Sequence, residues 1–177
     1  MIPSELIKGQ RLYTLFTSMF IHGGPVHLSG NMLYLYIFGD NVEDAFGHKR
    51  YFLFYFVSGI VASLTHVLSL LTSADVFSLG VPTIGASGAI SGVLGAYLVL
   101  YPRARVLTLI LLGWISIVPI PAVLLLGFWF IFQLLYGMLE LEIGVQSGIA
   151  YWAHIGGFIA GVVFGLAWRS RRLRRDF

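Results

Sequence analysis

The chain has 177 residues, of which 58% are hydrophobic and 11% charged, about half the charged share of an ordinary soluble domain. Apolar segments recur from Leu12 to Trp168, which excludes both a soluble domain and a lone cleaved signal peptide and predicts a polytopic membrane protein. The absence of cysteine excludes disulfides, thiolate metal sites and a cysteine nucleophile, while the net charge of +3 is small and unevenly spread.

Apolar segments of helix length, separated by charges or turn residues, predict spans near 27–45, 51–72, 87–102, 121–139 and 150–168. The fold class is therefore all-α, a transmembrane helix bundle in a single domain over 1–177. Residues 1–26 form an outer or interfacial segment, 27–168 the bundle and 169–177 a basic tail. In the first segment, Leu12, Leu15, Phe16 and Phe20 either lie along the membrane interface or follow a span further upstream; the sequence leaves both readings open.

The span at 27–45 is weak on hydropathy, because Asp40, Asn41, Glu43 and Asp44 interrupt it. It must end at an interface or line something wet. It opens with His27-Leu28-Ser29-Gly30-Asn31 after the turn-like His22-Gly23-Gly24-Pro25. Positions 27 and 31 are i and i+4, so both side chains leave one helix face. An imidazole N–H and an amide NH₂ aimed at one point suit an oxyanion. The same spacing would suit a metal, but Asn is a poor transition-metal ligand and there is no second His pair, so neither metal nor cofactor is expected. Of the other histidines, His48 beside Lys49 and Arg50 reads as an interface residue. His66, in mid-span, reads as a buried histidine bonded to a neighbouring carbonyl. His22 either supports the oxyanion loop or caps it.

The segment Gly85-Ala86-Ser87-Gly88-Ala89-Ile90-Ser91-Gly92 follows Pro82 and runs into an apolar helix, which puts Ser87 in a first turn. There the N–H groups lack intrahelical partners and the helix dipole favours developing negative charge, as a nucleophile that creates an oxyanion requires. Gly85 and Gly88 clear side chains from beside the hydroxyl. Alone, the motif fits a structural N-cap in a small-residue packing face better than it fits a nucleophile. Ser91, one turn on, reads as a packing or back-bonding serine.

The stretch 106–139 is long enough for two crossings, with Pro119 and Pro121 as a turn between them. Charge decides for one. With a single span there, Lys49, Arg50, Arg103, Arg105 and the five arginines of the last nine positions share one side, nine of the eleven basic residues. The opposite loops, 73–86 and 140–149, hold Asp75, Glu140 and Glu142 and no Lys or Arg. The positive-inside bias then makes the C-terminus cytoplasmic and 106–120 a partly buried or interfacial connection. The tail reads as an anchor beside a span; a nucleic-acid surface would interleave its basic residues with aromatics.

The last span contains Tyr151-Trp152-Ala153-His154, then Gly157, Gly161 and Gly165 at four-residue intervals. An imidazole in an apolar helix is costly and needs a partner, and a flat glycine face admits a close neighbour. Gly88, Gly92, Gly95 and Ala96 give the Ser87 helix such a face. If the two faces meet, His154 reaches Ser87 as base to nucleophile. No Asp or Glu lies in the outer half of either helix, so the pair reads as a dyad; a structural histidine remains the other reading.

His-x-x-x-Asn, Gly-x-Ser-Gly and Ala-His-x-Gly-Gly-x-x-x-Gly, in this order, resemble the signature of rhomboid intramembrane proteases. Phe20 to His22, Phe38-Gly39-Asp40-Asn41-Val42-Glu43-Asp44 and Tyr101-Pro102 extend the resemblance to nearly the whole chain. It implies Ser87 as nucleophile, His154 as general base and acid, and His27, Asn31 and the Ser87 N–H as oxyanion hole. Gly85, Gly88, Gly157 and Gly161 serve as packing and support. The implied substrates are transmembrane proteins cut near the outer face, and the implied setting is the plasma or inner membrane. The helix at 121–139, with Phe128, Trp129, Phe130 and Phe132, resembles the family's lateral gate, and 140–149 its cap; lipid-facing packing explains the same aromatics. Two departures stand out: the first of the family's six spans is not visible, and Ser91 occupies the place of an aromatic that stacks on the histidine in some members. Tyr97 and Trp152 are the substitutes the sequence offers. The rival functions are an inactive rhomboid-like protein that binds membrane clients, which would lack the Ser or the His, and a small transporter, which would show inverted repeats or a further buried carboxylate.

Overall fold

The computed structural model describes residues 1–72, 76–112, 114–143 and 147–173. Asp75 and the arginines Arg174 and Arg175, used above in the charge argument, lie outside them, as do residues 144–146 of the expected cap. Two short helices, α1 (Pro3–Ile7) and α2 (Thr14–Thr17), and a 3-10 turn at Ser18–Phe20 lead into α3 (Pro25–Phe46) and α4 (His48–Thr72). A second 3-10 turn, Val76–Gly80, precedes α5 (Ser87–Leu100); strands β1 (Arg105–Leu112) and β2 (Trp114–Pro121) then lead to α6 (Ala122–Ile143) and α7 (Tyr151–Leu173).

Each of the five expected spans is one of the five long helices. Pro25 opens α3 at a position where its missing N–H costs nothing, and the Gly47 N–H closes it on the Glu43 carbonyl at 2.7 Å, so α4 starts one residue later. Three helices are long and apolar enough to cross a membrane by themselves: His48–Thr72, Ala122–Ile143 and Tyr151–Arg171. α3 has the length, at 22 residues, but carries Asp40, Glu43 and Asp44. α5 has the apolarity but only 14 residues, a rise of about 21 Å.

The connection at 106–120, expected as a partly buried or interfacial link into a single helix, has a regular structure that was not foreseen. It is an antiparallel hairpin, paired from Arg105↔Pro121 to Leu112↔Trp114. Val106, Thr108, Ile110, Ile115, Ile117, Val118 and Ile120 are β-branched and stiff in χ1, which favours the extended pleat. A search for helix-length apolar runs merges this two-residue alternation with the helix that follows. Leu107, Leu109, Ile115 and Ile117 point outward while Val106 is buried. Pro119 and Pro121 sit on β2, with Pro121 closing the hairpin before α6. The Ala122 N–H donates to Ala104 O at 2.8 Å and the Val123 N–H to Pro102 O at 3.3 Å, tying the start of α6 to the end of α5.

α5 is the central helix, with every residue from Ala89 to Tyr97 buried, as expected of a helix apolar all round. Glycine sets its distance to α7. A Cβ added to Gly157 would overlap the Gly88 carbonyl, and one on Gly161 the Gly92 carbonyl. On the other side of α5, a Cβ on Gly88 would come within 2.6 Å of Ala62 on α4. At the hairpin end the bundle is filled by rings: Phe38 meets Tyr97 edge-on at 5.0 Å, and Phe46 meets Phe54 at 5.1 Å and Trp168 at 5.2 Å. At the other end small residues leave a cavity.

Candidate active site

Ser87 is the first residue of α5. The loop before it is fixed by the Gly85 N–H donating to Ser18 O at 3.0 Å and by the Thr83 N–H donating to Met1 O at 2.8 Å. Gly85 has φ +115°, a conformation that disfavours any residue with a Cβ. His154 lies in the first turn of α7, with its N–H bonded to Ala150 O at 3.2 Å. Because the α5 and α7 backbones touch at their glycines, the imidazole crosses the gap: His154 Nε2 is 2.8 Å from Ser87 Oγ. Ser91 Oγ donates to Ser87 O at 2.6 Å, the back-bonding expected of it.

The other face of the imidazole has a partner that the sequence reading missed. His154 Nδ1 is 2.8 Å from Oε1 of Gln133, a buried residue of α6. Gln133 is not an acid, yet a lone amide inside an apolar helix carries the same signal as His154 itself. Nor is either suggested aromatic the ring beside the histidine. Tyr97 packs on Phe38, and Trp152 Nε1 donates to Gly137 O at 3.0 Å. The nearby ring is Trp129, centred 6.0 Å from that of His154. Trp129, Gln133 and Gly137 recur every four residues, so α6 presents all three to α7. Of the remaining α6 aromatics, Phe130 stacks on Phe158 at 4.5 Å, whereas Phe128 and Phe132 are exposed.

His27 and Asn31 face the same cavity as Ser87 and His154, a space of about 670 Å³ also walled by His66 and Trp129. The Gly23 N–H donates to His27 Nδ1 at 3.2 Å, which leaves the hydrogen of a neutral imidazole on Nε2. That nitrogen points at the Ser87 loop: a Cβ on Gly85 would lie 2.9 Å from His27 Nε2 and 4.0 Å from Ser87 Oγ. Asn31 is buried and spends one Nδ2 hydrogen on His27 O at 2.9 Å, so one remains. The two glycines beside Ser87 make room for different neighbours. Gly85 makes room for the His27 ring, and Gly88 for Ala62.

The remaining histidines divide. His48 pairs with Glu43 at 2.5 Å on the exposed end of α4. Among the described residues, His66 Nδ1 is buried without the hydrogen-bond partner expected of it. His22 sets its ring edge against His27 at 5.3 Å, with Nε2 buried and without a hydrogen-bond partner among the described residues.

A serine, an imidazole and an amide in line, beside a second imidazole and a buried asparagine, now stand on four helices, α3, α5, α6 and α7. Residues 9–171 match the family model of the Rhomboid domain. The chain belongs to the rhomboid family. RHOMBOID-like protein 6, mitochondrial, of Arabidopsis thaliana is 33% identical to this rhomboid over 161 residues, 91% of the chain and 45% of that protein. Rhomboid protein 1, mitochondrial, of Saccharomyces cerevisiae is 32% identical over 153 residues, 86% of the chain and 40% of that protein. Rhomboid protease GluP of Bacillus subtilis is 34% identical over 158 residues, 89% of the chain and 26% of that protein. This rhomboid thus spans less than half the length of these three relatives. Family and apolar helices together make it an integral membrane protein.

Proposed function

We propose that this rhomboid is a serine endopeptidase that cuts transmembrane proteins within the membrane. The observation that carries the reading is the 2.8 Å approach of Ser87 Oγ to His154 Nε2. In this mechanism Ser87 Oγ attacks the scissile carbonyl carbon as its proton passes to His154 Nε2. The His27 Nε2–H, the free Asn31 Nδ2–H and the Ser87 N–H receive the oxyanion. His154 returns the proton to the leaving amine, and an acyl-Ser87 intermediate remains. Water, deprotonated by His154, hydrolyses the ester and restores the serine.

The site's depth follows from α5. With its Tyr101 end beside Arg103 at one surface, a rise of about 21 Å leaves Ser87 short of the other face of a hydrocarbon core about 30 Å thick. The charge pattern makes that other face the outer one and the C-terminus cytoplasmic, in a plasma or inner membrane. A substrate helix must therefore unwind locally to reach Ser87, and it reaches the cavity past α6, which acts as the gate. The whole chain is one domain, and neither metal nor cofactor takes part. An inactive client-binding relative has no use for a serine and a histidine at bonding distance.

Reconstitution into liposomes with a single-span substrate carrying a small residue at the cut tests this reading. The parent cleaves, whereas Ser87→Ala and His154→Ala each lose at least about 10³-fold in rate with the fold retained. Cleavage by Ser87→Ala at the parental rate would refute it.

A further inference from the structure

We infer that Gln133 is a positioning residue for His154, and that α6 thereby holds the catalytic base in its working state. The inference rests on the protease reading above. To take a proton from Ser87, His154 Nε2 must present its lone pair, so the ring hydrogen of the neutral imidazole must sit on Nδ1. Nδ1 is then a donor, and the group 2.8 Å away must accept. An amide can do so only through its carbonyl oxygen, which is the atom found there, Gln133 Oε1. The bond selects the tautomer and fixes the ring plane, and when Nε2 gains the serine proton it becomes a stronger, charge-assisted bond. The amide thus does part of what the carboxylate of a triad does, without placing a charge inside the bundle.

The neighbours of Gln133 hold it to that task. Gln133 lies one turn from Trp129, beside the His154 ring, and one turn from Gly137, whose carbonyl accepts from Trp152 Nε1 at 3.0 Å. The stripe is a seam between α6 and the start of α7. Yet α6 is the least enclosed of the three long apolar helices, with 22% of its apolar window buried against 39% for α4 and 44% for α7. The orienting group therefore rides on the most peripheral of these three helices. Displacing α6 breaks the bond to Nδ1 and removes the preference for the productive tautomer; reseating α6 restores it.

Two substitutions of similar size separate positioning from packing. Met fills the space of Gln without accepting a hydrogen bond, and Glu accepts one but brings a charge. For a packing residue in an apolar bundle, Met is the milder change. For an acceptor, Glu is. Reconstituted Gln133→Met is expected to lose about 10–100-fold in kcat, the worth of one charge-assisted hydrogen bond. Its KM and its thermal unfolding in detergent should stay as in the parent, and fluorophosphonate labelling of Ser87 should slow in step with kcat. Gln133→Glu should retain more activity than Gln133→Met. Parental kcat and labelling rate in Gln133→Met, or Gln133→Glu less active than Gln133→Met, would overturn the assignment while leaving the protease reading intact. A parent that neither cleaves nor labels overturns both.

Discussion

Gly85 carries a double constraint. Its φ of +115° favours glycine, and a Cβ there would lie 2.8 Å from His27 Cε1. Gly85→Ala therefore strains the loop by about 1–3 kcal/mol and pushes the His27 imidazole off the line to Ser87. The expected outcome is a fall in cleavage rate of about 10²–10³-fold, that of losing one oxyanion donor, with the helical circular dichroism unchanged. A parental rate in Gly85→Ala would remove His27 from the oxyanion hole. The sequence made Gly85 conspicuous but not its neighbour, because the fold of the Ser18–Gly85 contact that brings the two loops together lies 67 residues apart in the chain. Gln133 was equally open to view, a single amide among Phe, Leu and Tyr, but nothing in one sequence says that its side of α6 meets His154. The trace of that meeting, the four-residue spacing of Trp129, Gln133 and Gly137, gains meaning only once Gly137 is seen against Trp152 and Tyr151.

Between elements, the close approach of α5 and α7 is what brings Ser87 and His154 together, and it depends on the absence of methyl groups. A Cβ on Gly161 would overlap the Gly92 carbonyl oxygen, a backbone atom with no rotamer by which to yield. Gly161→Ala is predicted to destabilise the bundle by about 1–3 kcal/mol, as overpacking does, seen as a lower unfolding temperature in detergent, and to weaken cleavage as the helices part. Gly127→Ala, on α6 with nothing within 4 Å of its would-be Cβ, is the control and should be neutral or slightly stabilising. Equal behaviour of the two variants would contradict the backbone-contact account. The Gly157, Gly161 and Gly165 spacing makes this seam legible in sequence, since helix period and glycine period coincide. The hairpin was less legible, because Arg105–Pro121 is as apolar as a span and only its β-branched alternation distinguishes it.

For the molecule as a whole, composition fixes the solvent but not the shape of the site. Hydropathy alone accounts for three of the long helices; α3 and α5 are recognised by what they carry, charges at one end and a serine at the other. The same two helices carry key residues of the cavity. α3 brings His27 and Asn31 to one wall, and short α5 begins deep enough for Ser87 to open into it, while rings close the bundle at the opposite end. A mostly apolar pocket with a few polar groups, Ser87, His154, His27 and Asn31 among them, thus lies within the bundle. In the proposed function Ser87 is the nucleophile, made reactive by His154. This role is tested most directly by treating the reconstituted protein with a fluorophosphonate and mapping the adduct by mass spectrometry. A single phosphonylated residue, Ser87, is expected in the parent and none in His154→Ala; an active parent with Ser87 unmodified, or equal labelling without His154, would rule out this role.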